Sequence, residues 1–389
     1  MQKSLRRMDW ILVGVLVVLA ACSCASLYSY ALARNLPLHG LHADWLKQAI
    51  FEVLGLVVMV VTALFFDYRT LRKVRWPLYA CTTLLLLVVF QMPAINGAQA
   101  WIPLGGGFQL QPSELAKVSM IVLLAHYMAK VEESEHPQYG LRHLPALALI
   151  LLIPFGLTLK EPALGQALVM FAIFMTMYVV FTTRIYLTLL TLVLLGLVVI
   201  CGIALDHPSQ SAHFVNDVLV KHHLLQSYQA DRILTWLDPK YDLQHTGYNV
   251  HWAQIAIGSG QVFGEGWLNG TLTGHVPNQE TDYIFSLIGD EFGFVGGSVL
   301  VFLFLILVYR LVKVAAIAQE PFGVYLAVGF VGMFAFQVFE NIGMDVYLSP
   351  STGITLPFVS YGGTSVLVNY LCVGIVLSIS LRQKRLRFA

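Results

Sequence analysis

The sequence predicts an all-α integral membrane protein of about ten transmembrane helices, both termini cytoplasmic, with one long extracellular loop at about 207–280. Composition, repeated apolar runs and the placement of basic residues carry that expectation. Of 389 residues, 57% are hydrophobic and only 12% charged, half the roughly 25% charge of a soluble domain. The formal net charge of +1 therefore says less than where the charges sit, and no nucleic-acid partner is expected. Cys22, Cys24, Cys81, Cys201 and Cys372 all fall in apolar runs. They read as small buried hydrophobes, not as a disulfide framework or metal cluster.

About 20 residues of helix cross a bilayer core. Ten segments fit: 10–32, 46–66, 77–93, 112–130, 144–160, 164–182, 185–206, 284–309, 321–345 and 358–381. The third is short, and the fourth opens on the polar "QPSELAK". Only "KEPALG" divides the fifth from the sixth. The basic start "MQKSLRR" leads into an apolar run long enough to span, so no cleavable signal peptide is expected. The whole chain, 1–389, reads as a single membrane domain.

Orientation follows from Lys and Arg, which short cytoplasmic loops retain. The N-terminal tail, the 67–76 loop, the loops bearing Lys130, Arg142, Arg184, Arg310 and Lys313, and the C-terminal tail hold 16 of the 23 basic residues on one side. An even number of spans agrees with two inner termini. The long loop then lies outside and, at 74 residues, exceeds an ordinary connection. Its glycine-rich patch "IGSGQVFGEGWLNG" lacks the Lys-Ser/Thr of a P-loop, which argues against nucleotide chemistry.

Ionisable residues inside spans are functional candidates by default. Glu114 and Lys117, three apart, share a helix face within pairing distance. A structural ion pair and a cavity-lining pair, with Lys117 meeting an anionic head group, both remain open. Glu340 beside Asn341 reads as packing glue. The stretch "HVPNQETDYIFSLIGDEFGFVGG" places Glu280, Asp282, Asp290 and Glu291 at the mouth of the eighth span. Were the helix to start near 282, Asp290 would lie about 12 Å deeper and Glu291 on the opposite face, so the four cannot form one metal cage. Glu280 alone reads as a solvated loop carboxylate.

Two further segments are too polar for connectors. "GAQAWIPLGGGFQLQPSELAK" carries the interfacial Trp101 and a helix start that Gln111 or Ser113 can cap. "SPSTGITLPFVSYGGTS" returns towards the membrane with Pro350, Pro357 and Gly362-Gly363. Irregular backbone at membrane depth survives only where it is buried in protein or lines a wet cavity.

In these three stretches the sequence resembles the SEDS family, the RodA/FtsW/SpoVE cell-wall proteins. "WIPLGGGFQLQPSELAK", "HVPNQETDYIFSLIGDEFGFVG" and "NIGMDVYLSPSTGITLPFVSYGGTS" are similar to its signature segments, in order, over nearly the whole chain. The resemblance implies a peptidoglycan glycan-strand polymerase using lipid II at the outer face of the bacterial cytoplasmic membrane. It implies Asp282 as the essential acidic residue and a substrate-binding set of Trp101, Gln111, Glu114, Lys117, Arg232 and Ser360. A carboxylate base fits the removal of a proton from an acceptor sugar hydroxyl. The pyrophosphate leaving group needs positive charge from Lys117, Arg232 or a divalent cation, Mg²⁺ or Mn²⁺, whose ligands the sequence does not reveal. A class B penicillin-binding protein is the implied partner, and the short tails lean towards a RodA-like role in elongation. Two departures stand out. Ala100 replaces an Arg usual in the family, and Ala163 replaces an Asp, with Glu161 placed to supply that charge. A lipid II flippase and a non-catalytic scaffold are the alternatives.

Overall fold

The computed structural model describes residues 8–38, 43–93, 99–105, 108–134, 141–161, 163–182, 208–221, 227–238 and 247–383. The seventh expected span, 185–206, lies outside them. Long helices dominate: α1 (Trp10–Ala33), α2 (Asp44–Phe65), α3 (Thr70–Val89), α4 (Pro112–Glu132), α5 (Leu144–Lys160) and α6 (Leu164–Phe181). The short helices α7 (Pro208–Phe214), α8 (Ser227–Leu237) and α9 (Tyr248–Ser259) follow, so the expected long loop is largely structured in its described parts. The last three are α10 (Ile284–Ile317), α11 (Pro321–Asp345) and α12 (Gly363–Arg382). A hairpin of β1 (Ile102–Gly105) and β2 (Phe108–Leu110) precedes α4.

Six described helices are long and apolar enough to cross a membrane: α1, α2, α6, α10, α11 and α12. The shorter α5 and the more polar α3 and α4 coincide with expected spans. Helix α4 is buried almost all round from Ser113 to Ala129, with the polar Glu114, Lys117 and Ser119 among the buried residues. It packs against α3, α6 and α11. By contrast α10 turns Val299, Phe302, Leu305 and Tyr309 outwards, an exposed apolar stripe that suits lipid and not water.

Without a hydrophobic drive between helices in lipid, small residues let them approach. Helices α2 and α12 meet in this way. A Cβ on Gly55 would stand 2.2 Å from the Tyr370 ring, and one on Gly374 would stand 2.9 Å from the Met59 carbonyl. Across that contact Glu52, 2% exposed, accepts the Tyr370 hydroxyl at 2.6 Å and Gln48 Nε2 at 2.9 Å.

The eighth span differs from expectation. Helix α10 begins at Ile284, after Asp282, and breaks at Gly293, where φ is 61° and ψ is −160°. Asp290 and Glu291 therefore end a short helical piece and do not lie deep in a continuous span. The 260–266 turn takes up the backbone groups freed by the break. Phe294 and Val295 N–H donate to the carbonyls of Gln261 and Val262 at 2.9 and 3.0 Å. Glu265 and Gly266 N–H donate back to Asp290 and Glu291 at 3.0 and 2.9 Å. So close a pairing explains the glycine-rich patch: a Cβ on Gly264 would lie 2.1 Å from the Glu291 carbonyl oxygen. The deeper carboxylates tie the same joint. Asp290 accepts from Ser259 Oγ, Leu272 N–H and Thr273 Oγ1 at 3.0, 3.0 and 3.1 Å, and Glu291 accepts from Ser29 on α1.

Gly293→Ala is expected to destabilise the protein, because its backbone conformation alone costs a non-glycine residue about 1–3 kcal/mol. The added Cβ would also stand 2.3 Å from Gly264 N. Thermal unfolding in detergent checks this, with Gly14→Ala as the control, since Gly14 has nothing within 4 Å.

Candidate active site

Asp282 closes a turn whose N–H groups at 281, 282 and 283 all point to the Asn278 carbonyl, at 3.2, 3.0 and 3.2 Å. Three elements hold that turn. From α11, Asn341 Nδ2 donates to the Asp282 carbonyl at 2.6 Å and to the Ile354 carbonyl at 2.7 Å. From the returning segment 346–362, Ser360 Oγ donates to the Thr281 carbonyl at 2.5 Å while accepting Leu356 N–H at 2.8 Å. In addition, Tyr361 N–H donates to the Glu280 carbonyl at 2.9 Å. Helix α2 anchors the returning segment from below: Gln48 Nε2 donates to the Ser360 carbonyl at 3.2 Å, and Gly362 N–H donates to Gln48 Oε1 at 3.3 Å.

Arg232, brought in by α8, stands near the Asp282 carboxylate across Gly353 and acts on it through its charge. Arg232 Nη1 donates to the Ser351 carbonyl at 2.9 Å, and Tyr283 and Ser351 share a hydrogen bond at 2.7 Å. Gly353, with φ 72°, lies between the two charges. A Cβ there would stand 3.2 Å from Asp282 Oδ2 and 3.5 Å from Arg232 Nη1. Burial pushes the Asp282 carboxyl up to about 6, against the opposing pull of Arg232 and a Thr281 hydrogen bond, while Glu280 adds to the rise. The group is thus ionised at neutral pH and close enough to it to take up a proton, as a general base requires.

Of the expected set, Asp282, Arg232 and Ser360 come together here. Ser360 is a brace for the Thr281 carbonyl, with its hydroxyl already engaged. Glu114 and Lys117 form a separate, fully buried ion pair at 2.9 Å inside the bundle, with Gln166 donating to the same Glu114 oxygen at 2.9 Å. Trp101 is half-buried ahead of the hairpin. Gln111 holds the N-cap position of α4 without a side-chain cap bond, and Ser113 Oγ has no hydrogen-bond partner, so neither caps that helix. Instead, Pro112 fills the first helical position, where no N–H is needed. The hairpin reaches α12 through Thr364 Oγ1, which donates to the Gln109 carbonyl at 2.5 Å.

Two expectations need correcting. Glu280 is not a solvated loop carboxylate: it is half-buried, in hydrogen-bond contact with Tyr30, and its Oε2 is buried without a partner. Glu161 is fully buried with neither oxygen partnered, and burial pushes its carboxyl up to about 8. At neutral pH it is mostly protonated and does not replace the charge absent at Ala163. Sequence reasoning also missed Gln48, Glu52 and Asp345. The first two were hidden in the second span, though a Gln and a Glu four apart in an apolar run were the available signal. Asp345 stood in plain view in "NIGMD".

A multi-pass helical bundle with unwound backbone at one end, holding a carboxylate near a guanidinium, defines a membrane protein with a polar site at that end of its helices. Comparison with known proteins makes this specific. The cell cycle protein family FtsW/RodA/SpoVE matches residues 6–385, and the chain belongs to it. It is 33% identical to the probable peptidoglycan glycosyltransferase FtsW of Geobacter metallireducens, over 98% of this chain and 97% of that protein. It is 30% identical to the peptidoglycan glycosyltransferase RodA of Treponema pallidum, over 95% of this chain and 97% of that protein. These two identities do not separate the RodA-like branch from the FtsW-like one. Its fold matches a chain of a solved peptidoglycan synthase complex, described as coordinating polymerization and crosslinking, with TM-score 0.76 and 29% identity over 97% of this chain and 99% of that one.

Lys117→Met is expected to destabilise the protein by about 3–5 kcal/mol, because it leaves a buried charge unpaired. Adding Glu114→Gln is expected to restore most of that loss in thermal unfolding. A lysine that served only to bind a ligand would leave the melt unchanged.

Proposed function

We propose that this protein is a peptidoglycan glycosyltransferase that polymerises glycan strands from lipid II at the outer face of the bacterial cytoplasmic membrane. The observation that carries the reading is the Asp282 carboxylate set beside Arg232 on Gly353, in a mouth of unwound backbone. The names of the relatives support the reaction class, and the clustering of basic residues on one side of the expected topology supports the outward orientation.

In this reading Asp282 accepts the proton of the acceptor sugar 4-hydroxyl as its oxygen attacks the anomeric carbon of the donor. The new glycosidic C–O bond forms, the bond to the undecaprenyl pyrophosphate breaks, and the proton rests on Asp282. General-base catalysis of this kind contributes about 10²–10⁴ in rate. Arg232 faces the negative charge that develops on the departing pyrophosphate, and Lys117, bound to Glu114, acts on the bundle and not on the leaving group. A lateral apolar groove of about 560 Å³ among α2, α3, α4 and α12, lined by residues such as Phe65, Leu78, Leu85 and Leu115, suits a polyprenyl chain.

A divalent cation, Mg²⁺ or Mn²⁺, fits the mouth. Glu280 Oε2 is an unpartnered buried oxygen two residues from Asp282. Mg²⁺ commonly takes one or two carboxylates with substrate phosphates and waters. Among the described residues no group of three His, Cys, Asp or Glu forms a cage, so Glu280 would hold it together with the substrate. When bound, it supplies positive charge to the pyrophosphate. Glu280→Gln is then expected to raise the cation concentration needed for half-maximal rate, read by titrating Mg²⁺ into a chelator-treated enzyme. The partner we propose is a class B penicillin-binding protein whose transmembrane helix packs on this bundle, with a role in elongation.

Purified protein, with and without that partner, tests the reading in a lipid II polymerisation assay. Wild type is expected to make long strands and Asp282→Asn none. Failure of the folded wild type under every condition favours the flippase or scaffold alternative. The acid limb of the rate is expected near pH 6. Arg232→Gln is expected to move it to higher pH, because losing the cation that favours the carboxylate raises the Asp282 pKa.

A further inference from the structure

Asn341 and Asp345 lie one turn apart near the end of α11, on one face of the helix, and both are fully buried. They grip the chain on either side of Tyr283. Asn341 holds the Asp282 carbonyl at 2.6 Å, and Asp345 Oδ2 accepts the Ser286 N–H at 3.0 Å. The first N–H groups of a helix have no partner within it. Tyr283, at the N-cap position of α10, offers no side-chain cap bond. The Ser286 N–H is shared between the Tyr283 carbonyl, at 3.0 Å, and Asp345, which reaches it from a neighbouring helix.

This arrangement is costly. The other oxygen of Asp345, Oδ1, is buried without a hydrogen-bond partner, a condition that burdens stability. What it secures is the direction in which α10 leaves the turn at 278–283. With its carbonyl held by Asn341 and the following helical turn held by Asp345, the Asp282 side chain retains only its own torsions. We propose that Asp345 is a positioning residue for glycosyl transfer. Together with Asn341 it clamps the entry of α10, fixes where the Asp282 carboxylate points, and touches no substrate itself. The proposal rests on the reading of Asp282 as the general base.

The test combines kinetics with hydrogen exchange on Asp345→Asn, Asp345→Ala, Asp345→Leu and Asp282→Asn, in the full-length protein with lipid II. Asn keeps an acceptor oxygen and is expected to retain most of the rate. Ala and Leu remove it, and Leu does so while filling the space, which keeps a folded variant available. Both are expected to lower kcat by about 10²-fold with little change in KM, the effect of a misplacement of about 1 Å at a reacting group. Both are also expected to lose amide protection in a peptide covering 283–287, which Asn preserves. Wild-type kcat in Ala and Leu, or a loss of rate with that protection intact, overturns the proposal. An Asn variant as slow as Leu overturns it too, since the hydrogen bond would then not be what matters. If Asp282→Asn polymerises normally, the base assignment fails, while amide exchange still decides whether Asp345 clamps α10.

Discussion

The architecture around Asp282 depends on one constraint: backbone that leaves helical geometry near a bilayer must find a partner for each polar group inside the protein. A bare N–H or C=O in hydrocarbon costs several kcal/mol. Three irregular stretches face that demand here, the 276–283 turn, the break at Gly293 and the returning 346–362 segment. Each is answered from elsewhere in the chain. The 260–266 turn serves the break, Asn341 and Ser360 serve the first turn, and Gln48 serves the return. The carboxylate site stands where these supports converge, on backbone more rigid than a loop would be.

The supports also explain why buried polar side chains are retained in a bundle that packs well without them. Glu52 holds Gln48 in place, Gln48 holds the Ser360 carbonyl, and Ser360 holds the Thr281 carbonyl next to Asp282. The first link lies within α2, and the other two cross from one element to another. A core of Leu and Ile would stabilise the helices equally well but would leave the unwound segments without partners. Strain accumulates in the same place. Phe358, a bulky residue at φ 63°, is held by ring contacts with Phe334 at 5.5 Å and Tyr370 at 5.0 Å. A conformation of this kind persists only where the surroundings over-determine it.

Much of this was legible in the sequence. Apolar run length located the helices, because the bilayer sets that length. The Glu114–Lys117 spacing located an ion pair, because three residues return a helix to the same face. The mouth itself was marked by charge next to hydrocarbon. What escaped had physical reasons. Gly293 looks like any glycine in an apolar run, and only the backbone of the 260–266 turn lying against it reveals a break. Glu280 looked solvated because its neighbours in sequence are polar, whereas burial is set by Tyr30 and Tyr361 from distant elements. Ser360 enters the expected substrate-binding set through the family resemblance, and its hydrogen bond to the Thr281 carbonyl joins residues too far apart in the chain for the sequence to reveal.

The charge that tunes Asp282 and the contacts that hold it come from different parts of the fold. Its position is fixed by α11 and the returning segment, through hydrogen bonds to backbone. Its proton affinity is set by burial against Arg232, carried by α8 and anchored at the Ser351 carbonyl. Gly353 makes the two compatible: without a side chain it lets carboxylate and guanidinium approach across it, and its φ of 72° bends the segment to allow this. A side chain at 353 would crowd Asp282 Oδ2, its Cβ standing 3.2 Å away, and any loss of the Arg232 attraction would raise the carboxyl's pKa. Arg232, which favours the ionised carboxylate, thus acts on Asp282 across Gly353, which has no chemistry of its own.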